Sequence, residues 1–307
     1  MESGLSESVR LAMYVGVGMF LWGVESVSPL QARPSGRGRV YLMNLFLTGL
    51  TLAINLLLAG AIVWGVGQAT HHRFGILHLV EGPQWIKALA GILGLDFFAY
   101  LAHVTLHKTS LGWKFHRVHH AETHVDVTTT LRQHPGETLV RIGFQLAGSL
   151  VFGVSFPIFT LYVTLSALNA QLEHVNFRLP ESVDRLMRWL WVTPNMHKLH
   201  HSSLEAHSNS NYANLFSFWD RLFSTFQPPV GLEKLTYGVV SPHLSLEFDL
   251  KAKLPDVMSH QGVLSLKRNA IAHPRVAALG EQECHDVPPT KRIGQAWVKL
   301  HTVKNQE

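Results

Sequence analysis

Two long stretches without a charged side chain constrain the fold of this 307-residue chain most strongly. Val40–Thr70 and Ile142–Leu172 each run for 31 residues without Asp, Glu, Lys or Arg. About 20 apolar residues are enough for a helix to cross a bilayer. The composition agrees, because charged residues make up only 15% of the chain, against about 25% in soluble proteins. The sequence therefore predicts an all-α integral membrane protein rather than a soluble bundle with buried helices.

The apolar stretches predict about four transmembrane helices, two of them a short hairpin, with a cytoplasmic helical cap that carries a histidine-rich site for two metal ions. Leu11–Val24 is a short first span; a signal peptide is the other reading, but no A-x-A cleavage site follows it. Val40–Thr70 is the second span and Pro83–Leu106 the third. As one helix, Ile142–Leu172 would be roughly 46 Å long, too long for a hydrocarbon core of about 30 Å, and two full crossings need about 40 residues. The Gly–Pro segment at its middle therefore predicts a hairpin of two short helices.

Basic residues give the expected orientation. Arg33, Arg37 and Arg39 lie between the first two spans, and the positive-inside rule assigns such loops to the cytoplasm. The third span and the hairpin then bring the clustered histidines to the cytoplasmic membrane face. The net charge of +5 does not indicate nucleic-acid binding, because lysine and arginine are dispersed along the chain.

Histidine is unusually frequent, with 20 residues, and three clusters have the spacing of ligands on one helix face. The first box is HVTLH, the second is HRVHH, and the third, HKLHH, repeats the second after some 80 residues. The candidate ligands in these boxes are His103, His107, His116, His119, His120, His197, His200 and His201.

Six further residues are candidates near the same site. His174 is predicted as a ninth ligand, because ionisable residues at a membrane boundary are usually functional. His134 is a ligand, an outer hydrogen-bond donor or a helix-start residue before Pro135. His124 and His207 are either outer hydrogen-bonding residues or exposed. The remaining two, Asp96 and Glu173, are either acceptors that fix ring tautomers or polar caps at the membrane boundary.

Eight or nine imidazoles are too many for one metal ion and fit two. Imidazole suits Zn, Cu, Fe and Ni. The chain contains no HExxH motif, and no carboxylate lies inside the boxes, which argues against a zinc peptidase and a facial-triad iron site. The single cysteine, Cys284, excludes a disulfide framework, Cys-based zinc sites and thiolate-held iron–sulfur clusters.

With paired apolar helices beside them, the three boxes resemble those of the fatty acid hydroxylase/sterol desaturase superfamily of membrane di-iron oxidases. LRQHPGE is similar to that family's R-x-H-P-x-E segment, LEHVNFRLPE to its H-x-N element, and NSNYANLFSFWDRLFSTF to its closing motif. The chain departs from the pattern at Val104, where many relatives carry arginine, and at Ala213 and Ser224, which replace glycines. The N-terminal segment VESVSPLQARPSGRGRVYLMNL is similar to bacterial members, which favours a bacterial cytoplasmic membrane over the endoplasmic reticulum.

The resemblance implies two iron ions held by the three boxes and His174, with zinc possible in preparations. It also implies O₂ as co-substrate and two electrons from an external reductase, ferredoxin or cytochrome-type protein. The expected reaction is hydroxylation or desaturation of a lipid, such as a fatty acyl chain or a sterol-like molecule, in the membrane.

Two alternatives stay open at this point. An acyl-lipid or acyl-coenzyme A desaturase also uses three histidine boxes, although the HPGE and WDRLF segments fit it less well. A histidine-rich metal transporter would hold its metal near the bilayer midplane, whereas these boxes follow the spans. The expected organisation is N-terminal membrane helices at 1–90, a catalytic domain at 91–226 and a cytoplasmic C-terminal region of unknown role at 227–307.

Overall fold

The computed structural model describes residues 6–239, so most of the C-terminal region predicted at 227–307, with Cys284, lies outside the described residues. This part of the chain is built from helices and contains no strand, only two isolated β-bridges. The α-helices in chain order are α1 Glu7–Val27, α2 Gly38–His71, α3 Ile76–Leu79, α4 Gln84–Lys108, α5 Ser110–His120, α6 Pro135–Phe152, α7 Phe156–His174, α8 Glu181–Met187, α9 Pro194–His200, α10 Glu205–Ser208 and α11 Phe218–Leu222. Two short 3-10 helices cover Val127–Leu131 and Leu232–Lys234.

Two helical segments are long and apolar enough to cross a membrane: Gly38–Leu79, which joins α2 and α3, and Gln84–Lys108, which is α4. The surface of α2 is apolar, and Leu57 and Trp64 are 82% and 69% exposed. Side chains of this kind are stable on a protein surface when lipid covers them. The predicted spans at Val40–Thr70 and Pro83–Leu106 therefore form single helices, as expected.

The predicted hairpin is present as α6 and α7. Gly153 ends α6 in the left-handed conformation, with φ 69° and ψ 43°, and its N–H donates to the Ser149 carbonyl. Ser155 and Phe156 then begin α7, with Pro157 in its first turn, where proline costs no hydrogen bond. The turn thus falls at the Gly–Pro segment identified in the sequence.

The basic loop between α1 and α2 folds against the histidine end of the molecule. Arg33 pairs with the buried Glu25 at 3.0 Å. Arg37 pairs with the buried Glu122 at 3.3 Å and with Asp126 at 3.0 Å. Both of these carboxylates follow the second box within a few residues, so the arginine loop and the histidine boxes occupy one end of the fold.

We predict that Gly153→Ala destabilises the protein. A side chain in this left-handed conformation costs roughly 1–2 kcal/mol, and a Cβ there would lie 2.3 Å from the Phe74 carbonyl oxygen. The matched control is Gly143→Ala on α6, where nothing lies within 4 Å of the new Cβ and alanine favours the helix. Thermal unfolding in detergent should show a lower midpoint for the first variant only, and equal midpoints would contradict this account of the turn.

Candidate metal centre

The first two boxes meet because α5 folds back onto the end of α4. The side chain of Thr109, between the helices, accepts from the Gly112 N–H at 3.1 Å. Gly112 has no room for a side chain, since a Cβ would lie 2.6 Å from the Thr105 carbonyl oxygen. Because the two helices approach closely here, the side chains of His103 and His107 on α4 face the histidines of α5.

The third box and His174 arrive from the other side of the molecule. The Thr193 side chain caps α9, accepting from the Met196 N–H at 3.3 Å, and Pro194 occupies its first turn. Every residue of α9 is buried, so the whole helix lies inside the fold. His174 is the last residue of α7 and points into the same region.

The structure brings all nine predicted histidines into two groups whose ligand atoms lie within 4.8 Å of one another. The group of five contains His103, His107, His116, His120 and His200, and the group of four contains His119, His174, His197 and His201. The groups adjoin, because the rings of His120 and His201 stack with centroids 4.5 Å apart. The arrangement provides two neighbouring sites for metal ions.

The two HxxHH boxes are divided between the groups in opposite ways. In the second box, His116 and His120 enter the group of five and His119 enters the group of four. In the third box, His197 and His201 enter the group of four and His200 enters the group of five. Positions i and i+4 are about 40° apart around a helix, whereas i+3 lies about 60° to the other side. The three histidines of each box thus share one face of their helix, and the i+3 position on that face contacts the other group.

Hydrogen bonds at Nδ1 fix the orientation of several rings. Nδ1 of His174 lies 2.6 Å from the Ala170 carbonyl oxygen, and Nδ1 of His119 lies 3.1 Å from that of Arg132. A carbonyl oxygen only accepts, so both Nδ1 atoms carry the proton and both Nε2 atoms present a lone pair. These two Nε2 atoms are 3.0 Å apart and cannot hydrogen-bond to each other. A cation between them would satisfy both.

In the group of five, two rings are oriented in the same way, by a backbone carbonyl oxygen at Nδ1. Nδ1 of His103 contacts the Tyr212 carbonyl oxygen at 2.8 Å, and Nδ1 of His200 contacts that of Ser210 at 2.7 Å. Within the described residues, the buried Nε2 atoms of His107, His120 and His200 have no hydrogen-bond partner. Burial, ahead of the neighbouring imidazoles, lowers the pKa of His120 well below its usual range, and burial lowers the pKa of His200 to about 3. Neutral imidazoles with unpartnered lone pairs suit a transition-metal ion.

Two carboxylates contact histidines of the groups. Glu137 lies 3.0 Å from Nδ1 of His116 and is also paired with Arg141 at 2.8 Å. The spacing of the histidine boxes does not predict a role for Glu137, although this residue lies in the LRQHPGE segment. Glu173 lies 3.6 Å from Nδ1 of His197, which is too far for a hydrogen bond, and it accepts instead from the Asn169 side chain.

Asp96 has a different role from the predicted one. Its hydrogen bonds in the described residues include the backbone N–H groups of Leu215 and Phe216, both at 3.0 Å, and Nε1 of Trp219 at 3.0 Å. None of its hydrogen bonds goes to a histidine ring. This buried carboxylate therefore holds the closing segment against α4, because it accepts hydrogen bonds from that segment and not from the histidines.

The remaining candidates lie outside both groups. His134 is the N-cap of α6: its Nδ1 accepts from the Gly136 N–H at 2.9 Å, and its ring stacks on Phe115. The helix-start alternative therefore describes it. Nε2 of His124 contacts the Asn176 side chain at 3.4 Å, and Nδ1 of His207 contacts the Ser202 hydroxyl at 3.4 Å.

Lys198 lies inside the third box and is also buried. The histidine spacing does not predict a role for it. Its ammonium donates to the carbonyl oxygens of His174 and Val175 at the end of α7. Burial lowers the pKa of Lys198 to about 7. The contact joins α9 to the end of α7, and it uses the favourable position of a cation at a helix C-terminus.

A cavity of about 520 Å³ reaches the histidines from among the helices. Its walls come from α1, α2, α6 and α7, and its inner end includes His103, His119, His174 and His197. Pockets for small molecules commonly measure about 300–1,000 Å³. The cavity is therefore large enough to hold part of an apolar molecule against the two groups.

The described residues combine two helical segments of membrane-spanning length with two groups of histidines that could hold metal ions. Residues 88–225 match the family described as "Fatty acid hydroxylase". By this match, residues 88–225 form a domain that is similar to fatty acid hydroxylases. The match contains all three boxes, His174 and the closing segment.

The curated relatives that match this chain are named as hydroxylases or monooxygenases of lipids. The chain is 32% identical to the ornithine lipid hydroxylase OlsE of Rhizobium tropici over 149 residues, which are 48% of this chain and 44% of that protein. It is 26% identical to the alkylglycerol monooxygenase of Xenopus tropicalis, over 67% of this chain and 45% of that protein. It is 28% identical to methylsterol monooxygenase 1 of Danio rerio, over 47% and 49%. The chain spans about half the length of these relatives. No solved structure matches it significantly.

We predict that Glu137→Gln weakens metal binding at the group of five. Loss of a carboxylate that orients a ligand ring typically costs 10–100-fold in affinity, and the glutamine still accepts, so about tenfold is expected. The group of four serves as an internal standard, since Glu137 contacts only His116 among the histidines. Chelator competition should release one ion more easily and leave the other unchanged.

The matched control is Asp96→Asn, which changes a buried carboxylate that contacts no histidine. We expect lower thermal stability with unchanged affinity for both ions. Equal weakening at both groups in Glu137→Gln, or an effect of Asp96→Asn on affinity, would contradict the assignment of these two carboxylates.

Proposed function

We propose that this protein is a membrane-bound di-iron oxygenase that hydroxylates a lipid. The observation that carries the proposal is the pair of adjacent all-imidazole groups at the inner end of a cavity formed by apolar helices. In the balanced reaction, one atom of O₂ enters a C–H bond of the lipid. The other atom leaves as water, with two electrons and two protons from outside.

The nine histidines are proposed as the metal ligands, five for one ion and four for the other. Iron bound there would supply the activation of O₂ and the removal of hydrogen from an unactivated C–H bond. Zinc accepts the same ligands, so zinc in a preparation is compatible with this proposal. The buried Nδ1 contacts hold the rings in place before any metal arrives, which keeps the geometry of both sites fixed.

The chain itself positions the substrate. The cavity walls include Leu11, Val15, Leu52 and Ile142, and these apolar side chains exclude water and hold the apolar body of a lipid. His119 and His174 line the same cavity, so a lipid bound in it would have one carbon beside them, and such positioning would distinguish one methylene from its neighbours. The names of the relatives, an ornithine lipid hydroxylase and monooxygenases of alkylglycerol and methylsterol, support a lipid as the substrate class.

Electrons are proposed to come from a separate reductase, ferredoxin or cytochrome-type protein. The chain has one cysteine, Cys284, which cannot hold an iron–sulfur cluster by itself. The catalytic part is proposed at 91–226, preceded by membrane helices at 1–90 and followed by a C-terminal region.

The proposed topology has about four transmembrane helices, two of which, α6 and α7, form the short hairpin, with the histidines on the cytoplasmic side of a bacterial cytoplasmic membrane. The basic loop at Arg33–Arg39 supports this orientation. Because Arg37 pairs with Glu122 and Asp126, the loop and the boxes share one side of the bilayer whichever way the protein inserts.

We predict that cells expressing the protein under ¹⁸O₂ accumulate a lipid hydroxyl that carries the label. Lipidomics should compare them with cells expressing His119→Ala, which removes a proposed ligand of the group of four, and Gly143→Ala, where nothing lies within 4 Å of the new Cβ. The labelled product should appear with the native chain and Gly143→Ala and be absent with His119→Ala. An unlabelled new double bond would instead establish desaturation, and the absence of any oxygen-dependent product would contradict the proposal.

A further inference from the structure

An exposed apolar patch covers α8, the turn after it and α11. We call it the interfacial patch, and its members are Leu186, Trp189, Leu190, Leu222 and Phe223. Leu186, Trp189 and Leu222 are 77%, 67% and 66% exposed. A contiguous group of large apolar side chains on a surface indicates contact with a membrane or another molecule.

Two hydrogen bonds show where the chain just after α8 and the chain just before α11 lie along α7 and α4. Nε1 of Trp191 donates to the Asn169 side chain at 2.5 Å, and the Phe216 N–H donates to Asp96 at 3.0 Å. Asn169 precedes His174 by five residues, and Asp96 precedes His103 by seven. At 1.5 Å per residue, these positions are about 8 and 10 Å from the histidine ends of α7 and α4. The chain that carries the interfacial patch is therefore attached to α7 and α4 away from the histidine ends of these helices.

Aromatic packing connects the patch directly to α4. The Phe223 ring stacks on Phe97, with centroids 5.7 Å apart, and on Tyr100 at 5.3 Å. Phe97 and Tyr100 belong to a helix long and apolar enough to cross a membrane. The interfacial patch is thus continuous with the surface of that helix.

Arginine and tryptophan at the patch have the chemistry of a bilayer interface. The Arg221 guanidinium lies over the Trp189 ring at 5.0 Å, and the Arg185 side chain is exposed and lies 3.6 Å from Glu181. Tryptophan concentrates at the level of lipid headgroups, and nearby cations attract anionic phosphates. A patch that bound only another protein would need neither this position along the long helices nor this pairing of arginine with tryptophan.

We propose that the interfacial patch is inserted into the headgroup–acyl boundary of the bilayer, so that the cap carrying the third box is partly embedded in the membrane. The occupant of the patch is lipid. The proposal rests on the membrane position of α4 assumed in the proposed function. It makes α8 and α11 a second attachment to the bilayer in addition to the long helices.

The test uses environment-sensitive fluorophores on single cysteines in the full chain, with Cys284→Ser as background, reconstituted into phosphatidylcholine–phosphatidylglycerol vesicles. The probe sites are Leu222→Cys and Leu186→Cys, both exposed, so neither variant disturbs the core. The matched control is Leu204→Cys, an exposed leucine just before α10. That helix lies beyond the histidines, since Asn209 at its end accepts from Lys108 at the end of α4 at 3.3 Å. Leu57→Cys on α2 is the lipid-facing standard.

We expect the probes at 222 and 186 to be quenched by nitroxide lipids as strongly as the probe at 57, and to resist iodide. The probe at 204 should be quenched by iodide and not by nitroxide lipids. Quenching of the 222 and 186 probes by iodide would overturn the proposal, because they would face water. Shielding from both quenchers would also overturn it, because protein would cover the patch.

The measurement requires neither metal nor substrate, so its failure is distinguishable from failure of the proposed function. Lipid quenching at 57 without lipid quenching at 222 and 186 would reject only the interfacial patch. Absence of lipid quenching at 57 would reject the membrane position of the long helices as well.

Discussion

The hydrogen bonds from ring Nδ1 atoms to fixed acceptors are the interactions on which the rest of this structure depends. Backbone carbonyl oxygens at Ala170, Arg132, Tyr212 and Ser210 each hold one histidine with its Nε2 lone pair turned inward. A buried lone pair without a donor is costly, and here several of them converge in two places. The fold therefore concentrates unsatisfied acceptors where a cation can satisfy them, which is the opposite of how a stable apolar core is built.

The remaining elements can be understood as the support for this arrangement. Gly112 lets α5 approach α4 closely, and Lys198 joins α9 to the end of α7. The arginine loop binds Glu122 and Asp126 just after the second box. Rigid support of this kind keeps ligands positioned when a cofactor performs the chemistry. The cavity among the apolar helices then brings an apolar molecule to the same point.

Much of this could be predicted from the sequence, because the determining signals are local. Uncharged stretches gave the long helices, the Gly–Pro segment gave the hairpin, and the i,i+4 spacing gave the histidine pairs. The division of each HxxHH box between two groups could not be predicted, since it depends on which face of a short helix meets α4 or α7. The roles of Glu137 and Asp96 depend on contacts between residues far apart in the chain, and spacing contains no information about these contacts. His134 illustrates the same limit, because a ring before a proline can either cap a helix or bind a metal.

X-ray absorption at the iron edge, combined with the iron count per chain, tests the central claim most directly. The claim is that two adjacent groups of imidazoles each hold an ion. The account predicts two iron ions per chain, a first shell of nitrogen or oxygen with the scattering pattern of imidazole, and no sulfur neighbour. One iron ion per chain in protein prepared with excess iron, or a shell without imidazole scattering, would contradict it.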